Sequence, residues 1–260
     1  MDVDRDANIK LEGQAAAGSL DRGEGTSPRF SSSIKGLGLL ADLLDEMGIP
    51  ATFFCEGRTL EEMRDSAGIL DGFEIGVHGY DHEFLPGMIR PDAISAVEHG
   101  CQAIRDVTGR NPTCFRAPYM KQPRDIADFL KNTGIRVDSS TYAQADRCIP
   151  SMLPGYVVEI PVTEGRDING KSVSAYLWPM HEGKRNPLDY SDLAGCVPEE
   201  GCFVLADHSW HICELRERGV LSEEDVKENL ELERRALQGI LDAGLEPMTI
   251  SDASRLASPY

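Results

Sequence analysis

The feature that most constrains this chain is a unit that appears four times: apolar residues at helical spacing, then a glycine, then a short apolar run. Ser33 is placed to cap a helix carrying Ile34, Leu37, Ala41, Leu44 and Met47. Gly48 ends it and ATFF follows. Pro91 opens a second with Ile94, Val97, Cys101, Ile104 and Val107, then Gly109 and TCFR. Pro123 opens a third with Ile126 and Leu130, then Gly134 and IRVD. Ser222 caps a fourth with Val226, Leu230, Leu237 and Leu241, then Gly244 and EPMTI. Between these units FEIGVHG, YVVEIPV and CFVLAD read as strands. Strands that are apolar throughout and alternate with helices belong to a parallel sheet buried on both faces. The expectation is an α/β fold of seven or eight strands, one domain over residues 1–260. A (β/α) barrel, closed or incomplete, is preferred to an open doubly wound sheet.

The chain holds 44 acids against 26 bases, a formal net charge of −18. Such a surface repels nucleic-acid phosphates and anionic lipid heads, so neither is expected as a partner. No apolar run reaches the length of a membrane span. The opening MDVDRDANIK is too polar for a secretory signal, and the expected setting is cytoplasmic. Seven cysteines, at 55, 101, 114, 148, 196, 202 and 213, include no C-x-x-C pair. An odd count without that spacing reads as reduced thiols filling a core, not as a disulfide framework or a zinc knot.

Polar residues gather where the predicted strands end. Asp2 and Asp4 lie at the start of the chain, His78 and His82 follow FEIGV, and Arg116 follows TCF. Asp138 follows IRV, and Asp207 and His208 follow CFVLA. In parallel α/β folds the C-terminal ends of the strands open on one face, where active sites sit. The stretch HGYDHEF is compatible with two ordinary surface histidines. On one helical turn, though, its histidines would share a face. Asp4, His78 and His82 then supply a carboxylate and two imidazoles. Three protein ligands with a position left open is the pattern of a catalytic divalent site, most often zinc. Asp2, two residues before Asp4, shares its strand face and stands where a general base belongs. His208, from a distant strand, could protonate a leaving amine. All of this requires the first residues to form a strand; a disordered terminus is the alternative.

These motifs resemble the polysaccharide deacetylases, the NodB homology domain of carbohydrate esterase family 4. MDVD stands where that family has two aspartates, ATFFCEG resembles its Thr-Phe-Phe strand, and HGYDH resembles H-[ST]-x-x-H. FRAPY resembles R-x-P-[YF], and VDSSTY and VLADHSW stand in the places of the last two motifs. The resemblance implies a distorted (β/α) barrel and removal of acetyl groups from N-acetylated sugars. It implies Asp2 as base, Asp4, His78 and His82 as ligands of one divalent ion (most often Zn2+), and His208 as acid. Arg116 would orient Asp2, Asp138 would tune His208, and Tyr119 would stabilise an oxyanion through its backbone N–H.

The chain also departs from that pattern. Asp-Val-Asp replaces adjacent aspartates, as in a subgroup that includes peptidoglycan deacetylase-like proteins and hydrolases of cyclic amides. Gly79 replaces a hydroxyl residue, Ala206 alters the Leu-x-His motif, and Tyr142 stands in for a tryptophan. Two further readings therefore stay open: hydrolysis of a small cyclic imide or ureide, and a non-catalytic glycan-binding barrel. An open groove would suit a polymer, and a lid would suit a small molecule. Segments 7–30 and 178–195 are long enough to be lids. His99 and His181 read as surface or satisfied core residues, and His211 more often so than not. Trp178 and Trp210 read equally as sugar platforms or as packing.

Overall fold

The computed structural model describes residues 1–19, 23, 25–130, 132–153 and 155–257. Residues 20–22 and 24, within the proposed first lid, lie outside that set. The strands are β1 (Asp2–Val3), β2 (Thr52–Cys55), β3 (Glu74–Val77), β4 (Cys114–Phe115), β5 (Val137–Asp138), β6 (Tyr142–Gln144), β7 (Ser151–Leu153), β8 (Val157–Glu159), β9 (Val162–Arg166) and β10 (Ser172–Ser174), with a small hairpin, Glu214–Leu215 and Gly219–Val220, further on. Among the described residues the largest sheet has the order β1-β2-β3-β4-β5-β8-β7. Pairing is parallel from β1 to β8, and β7 folds back antiparallel on β8. The parallel strands follow chain order without the reversal that marks a doubly wound sheet. The rest of the circuit is made by single links. Ala175 N–H donates to Thr163 O at 2.7 Å, Tyr176 bridges to Ala206, and His208 bridges to Asp2. The fold is the expected distorted (β/α) barrel.

The first strand is formed and buried: Asp2, Val3 and Asp4 are all enclosed. Its partner β2 is covered by the helix Ser31–Met47, whose Leu37, Ala41 and Leu44 pack with Val3, Phe53 and Val77 in the main core. Gly48 ends this helix in the left-handed conformation, as the sequence predicts. Its start is three residues earlier than predicted. Asp6, from the loop after β1, accepts from Ser32 N–H (3.1 Å) and Ser33 N–H (2.7 Å), doing the work of an N-cap from outside the helix. Ser33 instead bonds its hydroxyl to Ser209 Oγ at 2.6 Å.

The helices Arg90–Thr108 and Glu223–Asp242 begin and end where predicted, with Pro91 in the first turn of one and Ser222 capping the other. The Pro123 unit yields only Ile126–Leu130. Two expected strands differ. CFVLAD makes isolated bridges in place of a ladder, and EPMTI forms no strand but leads into the short helix Ile250–Ser254. All seven cysteines are free and five are buried. No helix among the described residues is long and apolar enough to cross a membrane.

Candidate active site

Asp4 follows β1, and His78 and His82 follow β3, so the three arrive from the same ends of two strands. Their ligand-type atoms lie within 4.8 Å of one another, and His82 Nε2 is 3.3 Å from Asp4 Oδ2. His78 is fixed by its Nδ1–H, which donates to the Arg116 carbonyl at 2.8 Å and leaves Nε2 for the site. Burial drives the His78 pKa down to about 4, so its ring is neutral at pH 7, as a ligand must be. Burial opposes charge on Asp4, but His208, His82 and His78 outweigh it and hold its pKa below the usual range. Asp4 Oδ1 is buried, and none of the described residues donates a hydrogen bond to it. An orphaned carboxylate oxygen beside two imidazole nitrogens fits a divalent cation.

The histidines do not sit on a helical turn. Gly79 (φ 71°) and His82 (φ 55°) are both left-handed, and Glu83 Oε2 and Oε1 accept from the N–H groups of Tyr80 (3.1 Å) and Asp81 (2.9 Å). A Cβ at position 79 would meet the Glu83 carboxylate at 2.6 Å. The hydroxyl residue expected there is disfavoured by the left-handed backbone, and the glutamate carries out the local bonding.

Asp2 lies below this cluster. Its Oδ1 accepts from Arg116 Nη1 at 2.9 Å and its Oδ2 from the Tyr176 hydroxyl. Burial again opposes ionisation, yet Arg116 and the neighbouring histidines keep the carboxyl charged far below its ordinary range. Arg116 is itself held by Ser139, through its carbonyl (3.0 Å) and hydroxyl (2.9 Å), and stacks 4.3 Å over the Phe54 ring. Tyr176 is a partner the sequence analysis missed. His208 is half-buried, stacks on Tyr176 at 5.4 Å, and its backbone bridges to Asp2. Tyr119 is left-handed (φ 60°), with its ring 4.4 Å from that of His82.

Asp138 stands apart from its expected role. Its recorded partners are Ser140 and Glu159, not His208. The β5–β8 register sets Asp138 opposite Glu159. Burial and that second carboxylate push the Asp138 pKa well up. Ser140 Oγ donates to Asp138 and accepts from Ala117 N–H at 2.8 Å, which ties the pair to the loop before Tyr119.

Behind His208 the Asp207 carboxylate takes a different partner. His181 Nε2 is 2.9 Å from Asp207 Oδ2 and 3.3 Å from Glu233 Oε2, with all three side chains sealed from solvent. His181 is thus a core residue, paired with both carboxylates through Nε2. Trp210 is buried and stacks on His211 at 3.6 Å, so it reads as packing, whereas Trp178 is partly exposed beneath Arg216.

Residues 38–137 match the family model for polysaccharide deacetylase. That segment includes His78, His82, Arg116 and Tyr119. A peptidoglycan deacetylase of Helicobacter pylori is 28% identical over 107 residues, covering 40% of this chain and 36% of that protein. The chain spans about a third of the length of the curated relatives it matches. Among solved structures, a family 4 carbohydrate esterase from Streptomyces lividans in complex with acetate has a TM-score of 0.53 at 14% identity, covering 82% of this chain and 84% of that one. A CE4 family pseudoenzyme from Bacillus anthracis has a TM-score of 0.56 at 12% identity, covering 85% and 61%. These likenesses establish the fold. Residues 38–137 resemble the polysaccharide deacetylase family, and the chain as a whole takes the fold seen in family 4 carbohydrate esterases.

Proposed function

We propose that this chain is a metal-dependent hydrolase of non-peptide C–N bonds that removes acetyl groups from N-acetylated sugars. One observation carries the reading: Asp4, His78 and His82 converge beside Asp2, which Arg116 holds and to which His208 bridges. A divalent cation bound by those three residues, zinc by its donor set, would supply Lewis-acid polarisation of the amide carbonyl and acidification of water. The remaining work falls to side chains. Asp2 is charged, with each oxygen fixed by one donor, and it accepts the proton that an attacking water releases. His208, on the strand segment that bridges to Asp2, delivers a proton to the departing amine nitrogen. The Tyr119 backbone N–H is the proposed donor to the developing oxyanion.

The enclosure of the site supports a second reading, a small amide such as a cyclic imide. Asp2, Asp4, His78 and His82 are only 1–6% exposed. The turn at Gly13 sits directly on Phe84, whose ring adjoins Tyr119, so part of segment 7–30 lies over the rim. The test is a release assay on zinc-loaded protein. Acetate from N-acetylated monosaccharides and oligomers is scored beside ring opening of cyclic imides. Acetate release supports the first reading, ring opening alone supports the second, and neither product points to a binding barrel.

A further inference from the structure

Arg5 follows Asp4 directly, and its guanidinium is buried. Its Nε donates to Glu56 Oε1 at 2.8 Å, and its Nη2 bonds both that oxygen and Asp81 Oδ1. Its backbone N–H donates to Glu56 Oε2 at 2.9 Å, and Thr59 bonds that same oxygen. Both ends of this clamp adjoin candidate ligands. Arg5 is the neighbour of Asp4, and Asp81 is the neighbour of His82. Glu56, at the end of β2, lies between the two strands that deliver them. Arg58 adds a second cation on Asp81 Oδ1 at 3.1 Å. The backbone repeats the link, with Gly57 N–H donating to Gly79 O (3.1 Å) and Arg58 N–H to Tyr80 O (2.9 Å).

The turn being held needs holding. His82 is a non-glycine residue in left-handed backbone, a conformation that persists only where its surroundings impose it. The charged bond from Arg5 to Glu56 acts in the interior and the one to Asp81 at its edge, and a planar fork loses little freedom where a lysine could not reach both carboxylates. We propose that Arg5 is a positioning residue for the metal ligands: joining Glu56 to Asp81, it fixes Asp4 and His82 at the separation a divalent cation requires. The inference rests on the metal reading above.

The experiment measures zinc affinity by chelator competition, and the cobalt(II) visible spectrum, for the wild type, Arg5→Lys, Asp81→Asn and the double variant Arg5→Met/Glu56→Gln. The double variant removes both buried charges together, so it folds without stranding either one. Loss of an outer-shell partner typically weakens a metal site about 10–100-fold. The expected result is that loss in Arg5→Lys and in the double variant, with a shifted cobalt band, at temperatures where circular dichroism shows native structure. A smaller loss is expected in Asp81→Asn, which keeps a neutral acceptor. A merely structural Arg5 would lower the melting temperature and leave the affinity of the folded protein unchanged. Wild-type affinity and spectrum in the double variant would overturn the clamp alone. A wild type that binds neither metal would overturn the metal reading and the clamp with it.

Discussion

Asp138 and Glu159 meet carboxyl to carboxyl across neighbouring parallel strands, both buried. Folding raises the Asp138 pKa above its ordinary 3.8, so the folded chain binds a proton that the unfolded chain releases. Stability is therefore lost as pH rises above about 4 toward the raised value. Glu159→Gln gives Asp138 a neutral amide partner and should flatten that loss. The check is melting temperature against pH, where about 2–4 °C is expected per kcal/mol recovered. Parallel curves for the variant and the wild type would remove Glu159 as a cause of the raised Asp138 pKa.

The opposite sign applies at His181. Burial lowers its pKa, but Asp207 and Glu233 outweigh that and raise it from 6.5 to about 10. Its contribution is complete below about pH 6.5 and fades as pH climbs through 10. His181→Ala leaves two carboxylates sealed without a cation and should cost about 3–5 kcal/mol in urea unfolding at pH 7. The cost should shrink at pH 10.5.

At the cation site, His82→Ala should reduce bound zinc from about one ion per chain to near zero by elemental analysis, because two donors rarely retain the metal. An unchanged ion content would move the site elsewhere.

Asp2→Asn and His208→Ala should each keep the ion and lower turnover by about 10²–10⁴-fold on the substrate that the release assay identifies. Tyr176→Phe removes one of the two bonds on Asp2, and a loss of about tenfold is expected, equivalent to about 1.4 kcal/mol. If His208→Ala turned over normally, another residue would have to supply the amine's proton.

The strand-end residues were legible in the sequence because parallel strands have only one C-terminal face to offer. The turn at 78–82 was not, because His-x-x-x-His is also helical spacing and the left-handed backbone of Gly79 and His82 that breaks it does not show in the spacing. Asp138 was assigned to His208 by analogy, and nothing in a linear pattern reveals the register that places it against Glu159. Arg5 escaped notice for a related reason. A charged residue beside an aspartate reads as solvated until its partners 51 and 76 positions away are brought to it. The true cap of the first long helix was likewise hidden in Asp6, a loop residue remote from the helix it serves.

The seam of the barrel has a consequence for timing. Asp2 joins the last segment of the ring through one bridge and a 2.7 Å bond from its N–H to the Asp207 carbonyl. The candidate base and the candidate acid are thus residues of the same joint, a single bridge. When that joint breathes, the distance between proton acceptor and proton donor changes at once, while the ligands on the firmly laddered β2–β3 side stay put. The two candidate histidine ligands and the candidate proton-transfer pair are therefore mounted on parts of the ring with different stiffness, with Asp4, directly after β1, between them, and amide exchange at Asp2 should run ahead of exchange at Phe54 or Gly76.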